Sequence, residues 1–302
     1  MSKSTGFKVG VVGCGKVGMT AAFAMLLSGT PSEIVLIDRT LEKVEGEKLD
    51  LEHALPFLDY VKITASDDYS SLKGCDFVVY TAGAPQKVGE TRLDLCANNK
   101  NILRENLPKI TKNCPGAIVL IVANPVDVLT FEASKIAPSL KGRVFGSGTM
   151  LDTARFRFHL SENLKINPHS VHTYVLGEHG DTSFPVFENA LVGGQKLLDL
   201  PGVTKGMIME AYQKTRDAAY KIIEAKGATY YAIGVVVSKI MEAIASNSRT
   251  VYPLSVVIGE VALSMPCVLG AQGIERVLEV DFSAREKLDY DKSVLELKKY
   301  CQ

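Results

Sequence analysis

Residues 7–18, FKVGVVGCGKVG, join an apolar run to a glycine-rich turn and the start of a helical pattern. The run predicts a strand, and Gly13, Gly15 and Gly18 follow it with the spacing of a dinucleotide-binding turn. In such a turn the first glycine permits the tight bend, the second lets the backbone approach a pyrophosphate, and the third lets the helix contact the strand. The stretch therefore predicts a strand–turn–helix unit for a dinucleotide. The alternative is a tight turn that binds no nucleotide.

A carboxylate at the end of the next predicted strand supports the nucleotide hypothesis. The segment EIVLID, residues 33–38, ends in Asp38, twenty residues after Gly18. A carboxylate at this place can accept hydrogen bonds from both ribose hydroxyls and would repel a 2′-phosphate. Asp38 therefore favours NAD over NADP, although the adjacent Arg39 works against that preference.

The arrangement of apolar segments divides the chain into two halves. Up to residue 147, short apolar runs alternate with helical patterns, and the runs are continuous, as expected for strands covered by helices on both faces. Residues 1–147 are therefore predicted to form an NAD-binding domain of the α/β class, a Rossmann-type doubly wound parallel sheet. Residues 148–302 show a long helix, a strand-rich section, two more helices, a hairpin-like region and a last helix, which predicts an α+β substrate and catalytic domain. Their interface is the expected ligand site.

The composition excludes several classes of function. Of 302 residues 46% are hydrophobic and 23% are charged, and 34 Lys and Arg balance 34 Asp and Glu. A chain without net charge has no overall field that attracts nucleic acid or an anionic membrane, so neither is an expected partner.

Further features point to the cytoplasm. The six cysteines are scattered without metal-ligand or redox spacing, which predicts free thiols in a reducing compartment and no metal site. The first predicted strand begins within about seven residues, leaving no room for a cleavable signal. The apolar runs fall short of the roughly 18 residues that a membrane span requires.

Two segments of the second half carry acid–base and anion-binding groups. In LDTARFR, Asp152 and Arg155 are three residues apart on one predicted helix face, whereas Arg157 points nearly opposite. In GEHGD, His179 lies in a loop-like segment beside Glu178. A surface ion pair between Asp152 and Arg155, and a structural role for a lone histidine, are the alternatives.

In combination and order, these motifs resemble the L-lactate and L-malate dehydrogenase family, and bacterial L-lactate dehydrogenases most of all. The resemblance runs essentially from end to end. It rests on GCGKVG, GAPQKVGETRLDL, VANPVD, LDTARFR, GEHGD and KGATYYAIG, which begin at residues 13, 83, 122, 151, 177 and 226.

The resemblance implies reversible hydride transfer between (S)-lactate and NAD⁺, giving pyruvate and NADH, with these roles. His179 is the general base, and the general acid in reverse, because its pKa lies near neutrality. Asp152 accepts the other imidazole N–H and fixes the tautomer. Arg155 binds the substrate carboxylate through two prongs. Asn124 donates to the substrate oxygen beside the nicotinamide, or is a turn residue before Pro125, or both.

Two residues of the stretch GAPQKVGETRLDL, predicted to be a loop that closes over substrate, are implied to act on the reaction and its specificity. Arg92 polarises the reacting carbonyl, unless it is a solvated loop cation. Gln86 lies where malate-specific members have an arginine, and a neutral amide would leave a second substrate carboxylate uncompensated. Together with Thr229 as a small pocket wall, Gln86 favours pyruvate and L-lactate as substrates.

The resemblance also implies a set of cofactor residues. They are Gly13, Gly15, Lys16, Val17, Gly18, Asp38, Ala82, Gly83, Val122, Asn124 and Ile233.

Arg157 and His172 resemble the pair that binds fructose 1,6-bisphosphate in allosteric bacterial relatives. The two residues are therefore a candidate effector site, or they form interface hydrogen bonds only. The resemblance further implies a homotetramer built as a pair of dimers.

Three other functions compete. A lactate-dehydrogenase-like malate dehydrogenase would share these motifs except at Gln86, and a broader 2-hydroxy acid dehydrogenase that accepts longer aliphatic acids is a further alternative. An NAD-dependent glycosidase would need a metal-ligand cluster, which the Cys and His spacing does not offer. A catalytically silent relative would lack one of His179, Asp152, Arg155 and Arg92, and all four are present.

Overall fold

A computed structural model describes residues 6–84 and 92–301, and within these ranges the chain forms twelve strands and eight α-helices. The strands are β1 Phe7–Val12, β2 Pro31–Ile37, β3 Lys62–Ser66, β4 Phe77–Tyr80, β5 Ile118–Ile121, β6 Val144–Gly146, β7 Val171–Leu176, β8 Phe184–Val192, β9 Gln195–Lys196, β10 Thr250–Ile258, β11 Val261–Gly270 and β12 Gly273–Val277. The helices are α1 Lys16–Leu27, α2 Leu41–Glu52, α3 Arg92–Asn113, α4 Val126–Ile136, α5 Met150–Leu164, α6 Lys205–Lys226, α7 Tyr231–Ala245 and α8 Ala284–Lys298.

The main sheet contains nine of the described strands, in the order β12-β11-β10-β6-β5-β4-β1-β2-β3. The six strands β1 to β6 pair in parallel. Their order, 3-2-1-4-5-6, is that of a doubly wound dinucleotide-binding sheet. This confirms the Rossmann-type fold predicted for the first half.

The strands β4, β5 and β11 of this sheet are buried on both faces along their whole length, which explains their continuous apolar runs. Along β4, Phe77 and Val79 belong to a core that includes α1 and α7. The alternate residues Val78 and Tyr80 belong to a second core with α3 and α4. Successive side chains of a strand point to opposite faces, so both sets of positions must be apolar.

The second half contributes to this sheet as well as forming structure of its own. Strand β10 pairs antiparallel with β6 through Ser255 and Gly146, and β11 and β12 follow in a meander. A separate sheet of β7, β8 and β9 packs with α5 and α6 around Phe156, Leu160 and Ile208. The sheet thus continues past residue 147, the predicted end of the first domain, and that boundary stays a prediction.

One boundary differs from the expectation. The stretch GAPQKVGETRLDL is predicted to be a loop through residue 95, but α3 already begins at Arg92. Leucines 93 and 95 favour helix, and the carboxylate of Asp94 in the first turn interacts favourably with the helix dipole. Gln86 and its neighbours in 85–91 lie outside the described residues, as does the side chain of Arg92.

All six cysteines are buried and none is in a disulfide, as their scattered spacing predicts. Burial raises the pKa of Cys14, Cys75 and Cys267 to about 12. Among the described helices, none is both long and apolar enough to cross a membrane.

The three glycines of the turn differ in backbone conformation and in what a side chain would contact. Gly13 has a φ of +100°, which side chains of L residues rarely adopt. A Cβ on Gly18 would collide with the carbonyl oxygen of Gly13 and lie 2.8 Å from Oγ1 of Thr81. A Cβ on Gly15 would meet no protein atom within 4 Å.

The variants Gly18→Ala and Gly15→Ala should therefore differ in stability. We expect Gly18→Ala to lower the free energy of unfolding by about 1–3 kcal/mol, because the added methyl group overpacks the contact between helix and strand. Gly15 is extended, with φ −83° and ψ −173°, so alanine there should cost no more than about 0.5 kcal/mol. Urea unfolding followed by circular dichroism measures both, and equal losses would contradict this account of the turn.

Candidate active site

The candidate site lies at the carboxyl edge of the parallel strands, where the second half meets the first. A cavity of about 240 Å³ opens there. Val17, Val122 and Asn124 line it from the first half, and Asp152, Arg155, His179, Thr229 and Ile233 line it from the second. Ligands of open α/β sheets bind at this edge, so the position agrees with the fold.

Asp152 holds the predicted catalytic groups together. Its Oδ2 lies 2.7 Å from Nδ1 of His179, and its Oδ1 accepts a hydrogen bond of 3.2 Å from Nη1 of Arg155. Asp152 and Arg155 therefore form an ion pair, which is one of the alternatives considered from the sequence. The pair is mostly buried, and Asp152 also contacts His179. With Nδ1 bonded to a carboxylate, Nε2 is the imidazole nitrogen left for a ligand.

Paired threonines fix the distance between the helix and the histidine loop. Thr149, directly before α5, donates a hydrogen bond of 2.6 Å to the carbonyl of Val175. Thr153, one turn later, accepts a bond of 2.9 Å from the N–H of Val175. Because Val175 lies near the end of β7, four residues before His179, these contacts hold Asp152 and His179 in register.

Burial and charge act in opposite directions on the imidazole. Burial disfavours the charged ring, but the carboxylates of Asp152 and then Asp127 outweigh it and raise the pKa of His179 to about 9. Burial would raise the pKa of Asp152, but its partners His179 and Arg155 hold that pKa below its usual value. At neutral pH the pair is therefore an imidazolium and a carboxylate.

Asn124 serves the turn and the cavity at once. Its Oδ1 accepts a hydrogen bond of 3.3 Å from the N–H of Val126, at the start of α4, and its backbone carbonyl accepts one of 2.8 Å from Asn99. The amide Nδ2 remains as a donor at the cavity. The turn role of Asn124 is thus observed, and its role toward the substrate stays a prediction.

One face of α6 forms a wall of the cavity that the sequence analysis missed. The residues are Thr215, Arg216, Ala219, Tyr220 and Ile223. They recur at intervals of three and four, which is the signal that could have identified one helical face. Their direction toward the cavity depends on the packing of α6 against α5, which one sequence does not show.

The glycine-rich turn is suited to a dinucleotide. The open space beside Gly15 at the amino end of α1 would admit a phosphate group against backbone N–H groups. The carboxylate of Asp38 accepts bonds of 2.7 Å from the N–H of Cys14 and 2.8 Å from the N–H of Arg39. Each carboxylate oxygen has a further lone pair for a ribose hydroxyl.

The other predicted cofactor residues lie beside the turn or line the cavity. Nζ of Lys16 lies 5.9 Å from the ring centroid of Tyr230, beside Thr229. Ala82 abuts the turn at Gly13, and Gly83 lies against Asn99. Val17, Val122 and Ile233 give an apolar wall on which a nicotinamide ring could rest.

Arg157 and His172 lie apart from this cavity, as the opposite helix face predicts. Nε of Arg157 donates a hydrogen bond of 2.9 Å to the carbonyl of Thr173, and its guanidinium lies 5.4 Å from the ring of Tyr174. Burial lowers the pKa of Arg157. His172, which precedes Thr173 in β7, is exposed.

Comparisons with known proteins agree with this geometry. Residues 7–146 match the family model of the lactate/malate dehydrogenase NAD binding domain. Residues 149–302 match that of the lactate/malate dehydrogenase alpha/beta C-terminal domain. The chain belongs to the lactate/malate dehydrogenase family. It is therefore an NAD-dependent oxidoreductase, and the resemblance seen in its motifs is confirmed.

Individual members of the family are similar over nearly the whole chain. An L-lactate dehydrogenase of Moorella thermoacetica is 44% identical, with 93% of this chain and 92% of the relative covered. One of Gloeobacter violaceus is 43% identical, with 95% and 90% covered. The solved structure of a minor L-lactate dehydrogenase from Enterococcus mundtii superposes with a TM-score of 0.95 at 34% identity, with 98% of each chain covered.

Within residues 6–84 and 92–301, no group of three His, Cys, Asp or Glu side chains could hold a metal ion. In this family, bound NAD supplies or accepts the hydride, so the protein side chains have to bind the substrate and move a proton.

The variant Asp152→Asn should lower the pKa of His179. The lost carboxylate stabilises the imidazolium by charge and hydrogen bonding, and such a partner shifts a pKa by about 1–3 units. NMR titration of the His179 ring, identified with His179→Gln, measures the change. Asp181→Asn removes a charge from the same loop without touching Nδ1 and is the control. An unchanged titration in Asp152→Asn would contradict the proposed pairing.

The same pairing makes stability depend on pH. Folded His179 keeps its proton up to about pH 9, whereas an unfolded histidine loses it near 6.5. The pair therefore contributes stability that is complete below about pH 6.5 and is lost as the pH rises through about 9.

Proposed function

We propose that the protein is an L-lactate dehydrogenase that interconverts (S)-lactate and pyruvate, with NAD⁺ and NADH as the two cofactor forms. The observation that carries the proposal is the arrangement of His179, Asp152 and Arg155 around one cavity, with the His179–Asp152 contact at 2.7 Å. The similar proteins named L-lactate dehydrogenase, at 41–44% identity, support this substrate.

Each side chain has one task in the proposed reaction. Arg155 binds the substrate carboxylate at the cavity wall through its guanidinium. In pyruvate reduction, protonated His179 gives its Nε2 proton to the ketone oxygen as charge develops there, and Asp152 stabilises the imidazolium beforehand. Nδ2 of Asn124 donates to the same oxygen. In lactate oxidation neutral His179 takes the hydroxyl proton, so this direction should become faster as the pH rises toward 9.

Substrate selection is proposed to depend on Gln86 and on small groups of the cavity wall. Thr229 and Ala219 both line the cavity and limit the length of the substrate side chain. Gln86 and the side chain of Arg92 lie outside the described residues, so their roles rest on the sequence. A neutral residue at position 86 suits the methyl group of pyruvate better than the second carboxylate of oxaloacetate.

The variant Gln86→Arg should move the preference from pyruvate toward oxaloacetate. A buried charge pair with the second carboxylate would change the ratio of the two kcat/KM values by roughly 10²-fold. Loss of NADH absorbance with each substrate measures it, and Gln86→Met is the control for size without charge. Faster turnover of oxaloacetate than pyruvate by the unchanged protein would favour the malate dehydrogenase alternative.

We further propose a cytoplasmic homotetramer that fructose 1,6-bisphosphate activates through Arg157 and His172. The support is geometric. Nε of Arg157 donates a hydrogen bond to the backbone of Thr173, the residue after His172, so Arg157 lies beside the part of β7 that contains His172. An effector acts by binding the active arrangement more tightly than the inactive one.

Fructose 1,6-bisphosphate should lower the half-saturation concentration of pyruvate, and Arg157→Gln should abolish the response. Steady-state rates at low pyruvate, with and without the effector, test this after the protein has been shown to be unactivated. If the half-saturation concentration does not change, the effector site is excluded. Lys196→Gln, which removes a lysine from the exposed strand β9, controls for nonspecific effects of charge.

A further inference from the structure

A second buried carboxylate lies behind the proposed proton donor. Asp127 is the second residue of α4 and is only 2% exposed. Its Oδ2 accepts a hydrogen bond of 2.6 Å from the backbone N–H of His179. Its Oδ1 accepts a hydrogen bond of 2.6 Å from the hydroxyl of Ser255 in β10. One side chain thus links three elements that are distant in sequence.

The location of Asp127 connects the two groups that would contact the reacting oxygen. Asn124, three residues before it, presents its amide at the start of α4. The backbone N–H of His179, on the other side of the junction, donates to Asp127. Hydrogen bonds to an ionised group are shorter and stronger than neutral ones, and the amino end of a helix favours negative charge. The distance between Asn124 and His179 is therefore set through this carboxylate.

Charged groups surround Asp127 and His179 on several sides, and Asp181 and Arg216 line the cavity that His179 faces. Glu178 faces Asp127 from the same loop, and one of its carboxylate oxygens accepts a bond of 2.6 Å from Thr182. On the ring side, Asp152 and Arg155 face His179 from α5. Cys96 of α3 and Tyr300 after α8 line the small space behind His179. The charge of Asp127 also acts on the thiol of Cys301, the residue after Tyr300.

With a pKa of about 6, Asp127 is mostly a carboxylate at neutral pH. Burial raises its pKa to about 6, and the bonds from Ser255 and from the His179 backbone oppose a larger rise. The carboxylate also helps to raise the pKa of His179, after Asp152. An amide at position 127 could keep both contacts, because the hydroxyl of Ser255 can accept as well as donate, but it would lose the negative charge.

We infer that Asp127 is a positioning residue for proton transfer, whose carboxylate fixes the backbone of His179 relative to Asn124 and places a second negative charge behind the imidazolium. This inference rests on the role of His179 under the proposed function. Asp127 does not line the cavity, so it acts through His179 and not on the substrate.

The variant Asp127→Asn tests the inference through kcat and its pH dependence. We expect kcat for pyruvate reduction to fall roughly 10- to 100-fold while the KM for NADH stays within about twofold. We also expect the alkaline limb of the pH profile to move to lower pH, because His179 loses a stabilising charge. A folded variant with the parent kcat and pH profile would overturn the inference.

Two serine variants separate positioning from general loss of structure. Ser255→Ala removes one hydrogen bond from Asp127, so the acid limb of pyruvate reduction should move to higher pH. Ser238→Ala, which removes a buried serine of α7 bonded to the carbonyl of Ala24, should reduce stability without moving the profile. If Asp127→Asn does not fold, Ser255→Ala decides: an unmoved acid limb overturns the inference.

A parallel measurement of His179→Gln distinguishes the inference from the proposed function. If His179→Gln keeps the parent rate, the assignment of the proton donor is wrong. If it is inactive while Asp127→Asn and Ser255→Ala both behave as the parent does, only the role of Asp127 is wrong.

Discussion

The carboxylate of Asp152 is the group on which the arrangement of the site depends. It is shared between the imidazole of His179 and the guanidinium of Arg155, so a single anion balances two cations in a mostly buried place. Without it, the guanidinium of Arg155 would lose its buried partner, and the imidazole would lose the charge that keeps it protonated. The rest of the local structure keeps this anion in position, through the threonines before and within α5 and their bonds to Val175.

The sheet gives the site a rigid support from both halves of the chain. Strand β10 continues the parallel sheet beside β6, and α4 packs against β6, β10 and β11. Asn124 comes from the end of a parallel strand, whereas His179 follows β7 of the separate sheet. A site assembled across such a junction needs ties between the two parts, and buried polar side chains such as Asp127 and Ser255 provide them.

Much of the fold and of the candidate active site is predictable from the sequence, and the physical reason differs from residue to residue. Gly13 and Gly18 report local steric limits, and Asp152 and Arg155 share a face because of helical spacing. The loop predicted for residues 83–95 is wrong at its end, because α3 begins at Arg92 and the leucines there favour helix. Asp127 and the inner face of α6 were missed, because their roles depend on tertiary packing that one sequence does not reveal.

The six buried thiols can report local opening of the structure. A thiol reagent reacts with the thiolate, and burial both shields these sulfurs and raises the pKa of five of them to about 11 or 12. Modification must therefore await local unfolding, and its rate measures how often each region opens. Cys75 and Cys267 report on the sheet core, whereas Cys96 and Cys301 lie close behind the proposed proton donor. The rates at which these native cysteines react can therefore be used to compare how often the sheet core and the active site open.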